Sequence, residues 1–180
     1  MRKMIKSVLF TIIAGAAVLI AACSQPSAPA KTATKPEPVN PSSTAALGRI
    51  SAADAQVDSI VEVKPLRDPS VEGLLKQAHE AEAKGDINAA LAATARALAI
   101  AKDAPDILQY QAELYIAQGD WKQADAAAQK SRERGPKVGS LCARTQRTLI
   151  ETKSALGDTA AMQQAQTQMS SCRVPAPARL

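Results

Sequence analysis

One dipeptide recurs in this sequence at places that suit a chain folding back on itself as helical hairpins. Gly85-Asp86, Gly119-Asp120 and Gly157-Asp158 each lie between stretches rich in Ala, Leu, Gln, Lys, Glu and Arg, all compatible with helix. Glycine lets the chain turn with positive φ at a helix end. The aspartate that follows can cap the free N–H groups of the next helix. Each pair therefore reads as the elbow of a helical hairpin. The first two elbows are 34 residues apart and the third follows after 38. The four extra residues equal about one helical turn, so the third unit needs a longer helix or a longer connection, starting near Gly139. Val and Ile are sparse and scattered, which argues against strands. The pattern predicts helices at 70–84, 86–101, 104–118, 120–134, 140–156 and 158–171. Asp68-Pro69 suits a helix start, with Asp as cap and Pro in the first turn. Gly135-Pro136 suits a stop.

A period of 34 residues is that of the tetratricopeptide repeat, and the residues around the elbows resemble that family. The second unit carries the pattern most fully, with Leu108, Ala112 and Tyr115 before its elbow, Ala124 and Ser131 after it, and Pro136 behind. It departs at Gln111 and Ala128, where bulkier apolar residues are usual. The first unit has Leu74, Gln77, Ala78, Ala81, Ala90, Thr94 and Ala97. The third has Ala143, Gln146, Leu149, Ile150, Lys153, Met162, Gln166 and Met169. Small residues recur because adjacent helices cross closely there. The resemblance implies an all-α fold of about three tetratricopeptide-type hairpins in a short right-handed solenoid, preceded by a disordered tether.

The N-terminus reads as targeting rather than fold. Arg2, Lys3 and Lys6 precede an uncharged, mostly apolar run from Ser7 to Ala22, too short for an ordinary spanning helix. It ends in Ile20-Ala21-Ala22-Cys23, which resembles the lipobox of bacterial lipoproteins; an ordinary signal-anchor helix is the other reading. The resemblance implies cleavage before Cys23 and acylation there, palmitate included. Ser24, rather than Asp, at the next position implies sorting to the outer membrane, with the protein held on the periplasmic face. The domain organisation expected is a signal peptide at 1–22, a lipidated N-terminus with a Pro-rich flexible linker at 23–69, the repeat domain at 70–172, and a flexible tail at 173–180. Pro26, Pro29, Pro36, Pro38 and Pro41 crowd a linker segment without aromatics, which buries too little apolar surface to offset its ordering entropy. Residues 45–64 hold Leu47, Ile50, Val57, Ile60, Val61 and Val63, enough for a transient helix or a short recognition segment.

The chain has 22 basic and 17 acidic residues. Three of the basic ones lie in the signal, so the mature protein is close to neutral. No basic stripe interleaved with aromatics exists, and nucleic-acid binding is not expected.

Cys142 lies 15 positions before Gly157 and Cys172 lies 15 after it. Residues equally far from an elbow face each other in an antiparallel hairpin, so these two should meet at its open end. An exported compartment permits the disulfide. A redox-active or zinc pair is the rival, without a CxxC to support it. Catalysis has little to stand on. His79 is the single histidine; Glu80 and Glu82 are near it in sequence, but neighbouring helical positions point apart. There is no glycine-rich phosphate loop. No enzyme activity, cofactor or metal is expected.

Tetratricopeptide domains usually bind along the inner face formed by the first helix of each repeat. Carried onto this sequence, that face holds Glu72, Leu75, His79 and Glu82; then Asp106, Gln109, Glu113 and Ile116; then Arg144, Arg147, Glu151 and Ser154. It runs from acidic to basic, a gradient that could orient a partner; a merely solvated face has a similar composition. Tyr110, beside Gln109, is a candidate contact residue. Trp121, after the second elbow, suits either packing on the preceding hairpin or an exposed anchor.

The anchor, the Pro-rich tether and the repeats, with Arg147 to Asp158 (RTLIETKSALGD) in the last unit, together resemble one family. Its members are outer-membrane lipoproteins that stimulate a bifunctional peptidoglycan synthase, a class A penicillin-binding protein. The resemblance implies a non-enzymatic monomer that binds such a synthase. The alternative is an assembly or pilot lipoprotein for a pilus, a secretion channel or the outer-membrane protein machinery.

Overall fold

The computed structural model describes residues 41–55 and 66–173. The expected signal segment, Cys23, the Pro-rich stretch to residue 40, residues 56–65 with Val57, Ile60, Val61 and Val63, and most of the expected C-terminal tail lie outside the described residues. Seven helices are described: α1 Pro41–Ala55, α2 Pro69–Ala83, α3 Ile87–Ile100, α4 Pro105–Gln118, α5 Trp121–Arg134, α6 Ser140–Ala155 and α7 Thr159–Ser170. Helices α2 to α7 match the six expected to within about two residues at each end.

The elbows have the geometry their residues favour. Gly85, Gly119 and Gly157 have φ of 76°, 85° and 76°, in the left-handed region. The Asp86, Asp120 and Asp158 carboxylates accept the third backbone N–H of the following helix, from Ala89, Gln123 and Ala161, at 2.9, 3.0 and 3.0 Å. Asp68 caps α2 with Pro69 behind it, accepting from the Ser70 N–H at 2.8 Å. The Ser70 hydroxyl, then its backbone N–H, hold the Asp68 carboxyl below its ordinary range. Gly135 ends α5 in extended backbone; a Cβ there would lie 2.6 Å from the Ser131 carbonyl oxygen and 3.2 Å from Pro105. The four extra residues of the third unit are divided between α6, its connection to α5 and its C-terminal turn.

The helices pair as α2/α3, α4/α5 and α6/α7, and each hairpin stacks on the next. The core is thin and alanine-rich. Val71, Leu74, Leu75, Ala97 and Ile107 join the first hairpin to α4. Ala78, Ala90, Ala93 and Leu114 continue that seam. Ala112, Ala127, Ala128, Leu149, Ile150 and Ala165, with Tyr115, Met162 and Met169 against them, join the second hairpin to the third. Polar ties supplement this apolar seam. Ser131 donates to the Pro105 carbonyl at 2.7 Å. Asp125 on α5 accepts from Thr152 at 2.9 Å and from Lys153 at 2.7 Å, both on α6. Cys142 and Cys172 form a disulfide, their Cα atoms 5.5 Å apart, and the Gly139 N–H donates to the Cys172 carbonyl at 2.7 Å. The open end of the last hairpin is thereby closed.

Helix α1 falls inside the segment expected to be a flexible linker, 23–69. Its formation has a tertiary cause. Ala46, Ile50 and Ala53, spaced i, i+4, i+7, are each 1% exposed. They pack as a stripe on α6 and α4, with Ile116 and Ala124 beneath and Trp121 and Tyr115 alongside. Among the described residues no helix is long and apolar enough to cross a membrane.

Candidate protein-binding face

Helices α2, α4 and α6 are the first helices of the three units, and their shared face is where the expected contact residues lie. The structure divides that face in two.

The part built by α4 and α6 is internally paired. Glu113 accepts both Nε (2.6 Å) and Nη2 of Arg144 and also the Gln109 amide at 2.8 Å. That amide in turn reaches the Thr148 hydroxyl at 2.6 Å. Gln109 is 1% exposed, so it works as a buried tie between α4 and α6. Glu151 takes both Nε and Nη2 of Arg49 at 2.8 and 2.6 Å, with Arg147 4.0 Å away on its own helix. The Glu151 carboxylate, first by hydrogen bonding, holds the Arg49 guanidinium above its ordinary range. Ile116 is fully buried beneath α1. Trp121 is half-buried beside the same stripe, in a packing position. The sequence suggested an acidic-to-basic gradient of solvated charge. Here α1 and cross-helix ion pairs consume much of it.

The part built by α2 is open. His79 and Glu72 are exposed, with Leu75 buried between them. They share a shallow surface with Arg67, Lys76 and Glu80. Arg67 bridges Asp106 and Glu72, joining the starts of α4 and α2. The His79 and Tyr110 rings lie 4.5 Å apart, and the Tyr110 hydroxyl donates to Glu82 at 2.7 Å. Burial first, then the Glu82 bond and the Glu82 and Glu113 charges, push the Tyr110 phenol far above its ordinary range. Tyr110 thus remains a neutral donor across the physiological range. Ser154 is exposed near the end of α6.

Sequence reasoning allowed a transient helix over 45–64, which takes in Leu47 and Ile50, but it did not single out Arg49 or a helix start at Pro41. The usable signal was present: Pro41 at a helix start, then Ala46, Ile50 and Ala53 on one helical face. The neighbouring prolines, Ser42-Ser43-Thr44 and Gly48 obscured it.

No family model and no curated protein matches this sequence. A solved structure does match, the globular C-terminal domain of P. aeruginosa LpoP. The two chains are 30% identical with a TM-score of 0.50, over 56% of this chain and 99% of that one. The chain belongs to the LpoP family. That is the family its anchor, tether and repeats resemble. The match takes in essentially the whole LpoP domain, and the share of this chain is close to that spanned by α2 through α7. In this LpoP-family chain α1 packs on the face that α4 and α6 present.

Proposed function

We propose that this protein is a non-enzymatic, lipid-anchored activator that binds a class A peptidoglycan synthase through its repeat domain. The match to the whole globular domain of LpoP carries this reading; the family resemblance supplies the synthase. Lipid on Cys23 fixes the protein to the periplasmic face of the outer membrane, and the residues that follow supply reach and a raised local concentration. The protein acts as a monomer. The exposed inner-face residues of α2, His79 foremost, make first contact. Glu82, Gln109, Tyr110, Glu113, Arg144, Arg147 and Glu151 shape the face behind them.

The test is crosslinking in living cells that carry a tagged full-length copy, followed by mass spectrometry of what is captured. The expected result is a peptidoglycan synthase. Its yield should drop on the order of tenfold, as for loss of an interface hot spot, when Lys76→Glu and His79→Ala are combined. Both residues are exposed, so thermal unfolding should not change. Capture of secretin, pilus or barrel-assembly components instead would overturn the activator reading in favour of an assembly role.

A further inference from the structure

Helix α1 occupies the α4/α6 half of the inner face as a peptide ligand occupies a groove. It brings three small or medium apolar side chains at helical spacing, with Leu47 half-buried beside them, and one arginine on a buried carboxylate. Its seat is imperfect. The Ser43 hydroxyl is 0% exposed and has no hydrogen-bond partner among the described residues; nor has the buried Nε of Arg147, which neighbours Glu151 in the groove. Such groups carry a desolvation penalty. Two of the three buried apolar residues, Ala46 and Ala53, are alanines. The exposed Gly48 sits mid-helix with nothing within 4 Å of where a Cβ would be, so it weakens the helix without serving its packing. A helix of 15 residues with this composition does not persist alone in water. Once undocked it unfolds.

We propose that α1 is an internal placeholder, and that the α4/α6 groove receives an amphipathic helix of the partner bearing an arginine that replaces Arg49 on Glu151. This rests on the binding role proposed above and names the chemistry of the partner segment. The occupant is a helix because a helix already fits. It is basic at that point because Glu151, 8% exposed, loses both of its hydrogen bonds when Arg49 leaves and keeps only Arg147, 4.0 Å away. A partner helix with a better-packed stripe and no buried hydroxyl displaces α1.

The experiment uses the full chain and a fluorescent peptide with the sequence of residues 41–55 as the probe. The wild-type chain, its groove filled, binds the probe weakly. Ile50→Asp ejects α1 without altering the groove, and tightens probe binding by on the order of tenfold or more, the factor expected when a competent state populated below about 10% becomes dominant. Gly48→Ala in the protein strengthens α1 and weakens probe binding by about fivefold, the equivalent of the glycine-to-alanine helix propensity. A probe with Arg49→Glu does not bind the Ile50→Asp chain. Equal affinity of the wild-type, Ile50→Asp and Gly48→Ala chains would overturn the proposal, as would undiminished binding of the Arg49→Glu probe. A wild-type dimer in sedimentation, lost in Ile50→Asp, would also overturn it by giving the groove to α1 of a second copy. No synthase enters the titration, so its result is separate from the capture experiment in cells.

Discussion

Gly119 shows how much one residue type can decide. Its φ of 85° lies where an L side chain is strained, although nothing stands within 4 Å of a Cβ there. Gly119→Ala should therefore destabilise the protein by about 1 kcal/mol through backbone strain alone, measured as a lowered denaturation midpoint at unchanged slope. A cost near zero would mean that the elbow relaxes out of the left-handed region. Tyr110 makes a pH-dependent prediction. Its phenol is held above the ordinary range in the folded state, by burial first and then by Glu82. The folded state therefore keeps a proton that the unfolded state loses above about pH 10. The contribution is fully present below that value and is lost as pH rises above it. Tyr110→Phe should flatten the decline of stability above about pH 10, followed by urea unfolding at each pH. A variant as pH-sensitive as the wild type would show that other groups govern the alkaline limb.

The hairpins and the added helix are held by different forces. The third hairpin closes a loop of 30 residues through Cys142–Cys172. In the chain-entropy account this contributes roughly 3 to 4 kcal/mol. Replacing both cysteines with serine should lower stability by about that amount and raise amide exchange first in α7, which has a single buried residue, Ala165. Helix α1 rests on its apolar stripe and on the Arg49–Glu151 pair. Arg49→Glu should release it, because two carboxylates would then face each other in a half-buried groove. Hydrogen exchange across 41–55 should rise to the unfolded rate, with α4 and α6 still protected. Loss of protection throughout would mean that α1 is part of the cooperative core.

At the scale of the whole molecule, stability is unevenly distributed along the stack. A repeat stack is held by contacts between neighbours, so its ends are weakest. The C-terminal end has the disulfide, and α1 spans the second and third hairpins. The first hairpin is joined to the rest through α4 by the alanine-rich seam described above. Native-state hydrogen exchange should therefore find α3 opening before α6. The reverse order would place the weak point at the clamped end. Reach is also a property of the whole chain. Under the proposed lipid anchoring, residues 24–40 are the chain between Cys23 and α1, at most about 60 Å of contour. Release of α1 raises that limit to roughly 150 Å at full extension. Under the proposed placeholder role, binding a partner would both vacate the groove and lengthen the tether.

The six repeat helices, their elbows and the disulfide were readable from residue order because their causes are local. Gly-Asp turns, Asp caps and two cysteines equidistant from Gly157 act within one hairpin. The inner face was legible as a set of positions, since the tetratricopeptide resemblance implies Gln109, Glu113 and Glu151 on the binding side of the first helices. Their state was not. Gln109 to Thr148 and Glu113 to Arg144 are pairings across 39 and 31 residues, and Arg49 to Glu151 spans 102. No local pattern specifies which distant group will neutralise a buried charge. Helix α1 is the clearest case. Ser42-Ser43-Thr44 and Gly48 disfavour a helix, and the groove on α4 and α6 reverses that preference by burying Ile50 and supplying Glu151 to Arg49. Local chemistry sets where this chain turns; only the assembled stack of hairpins creates the surface on which α1 becomes a helix.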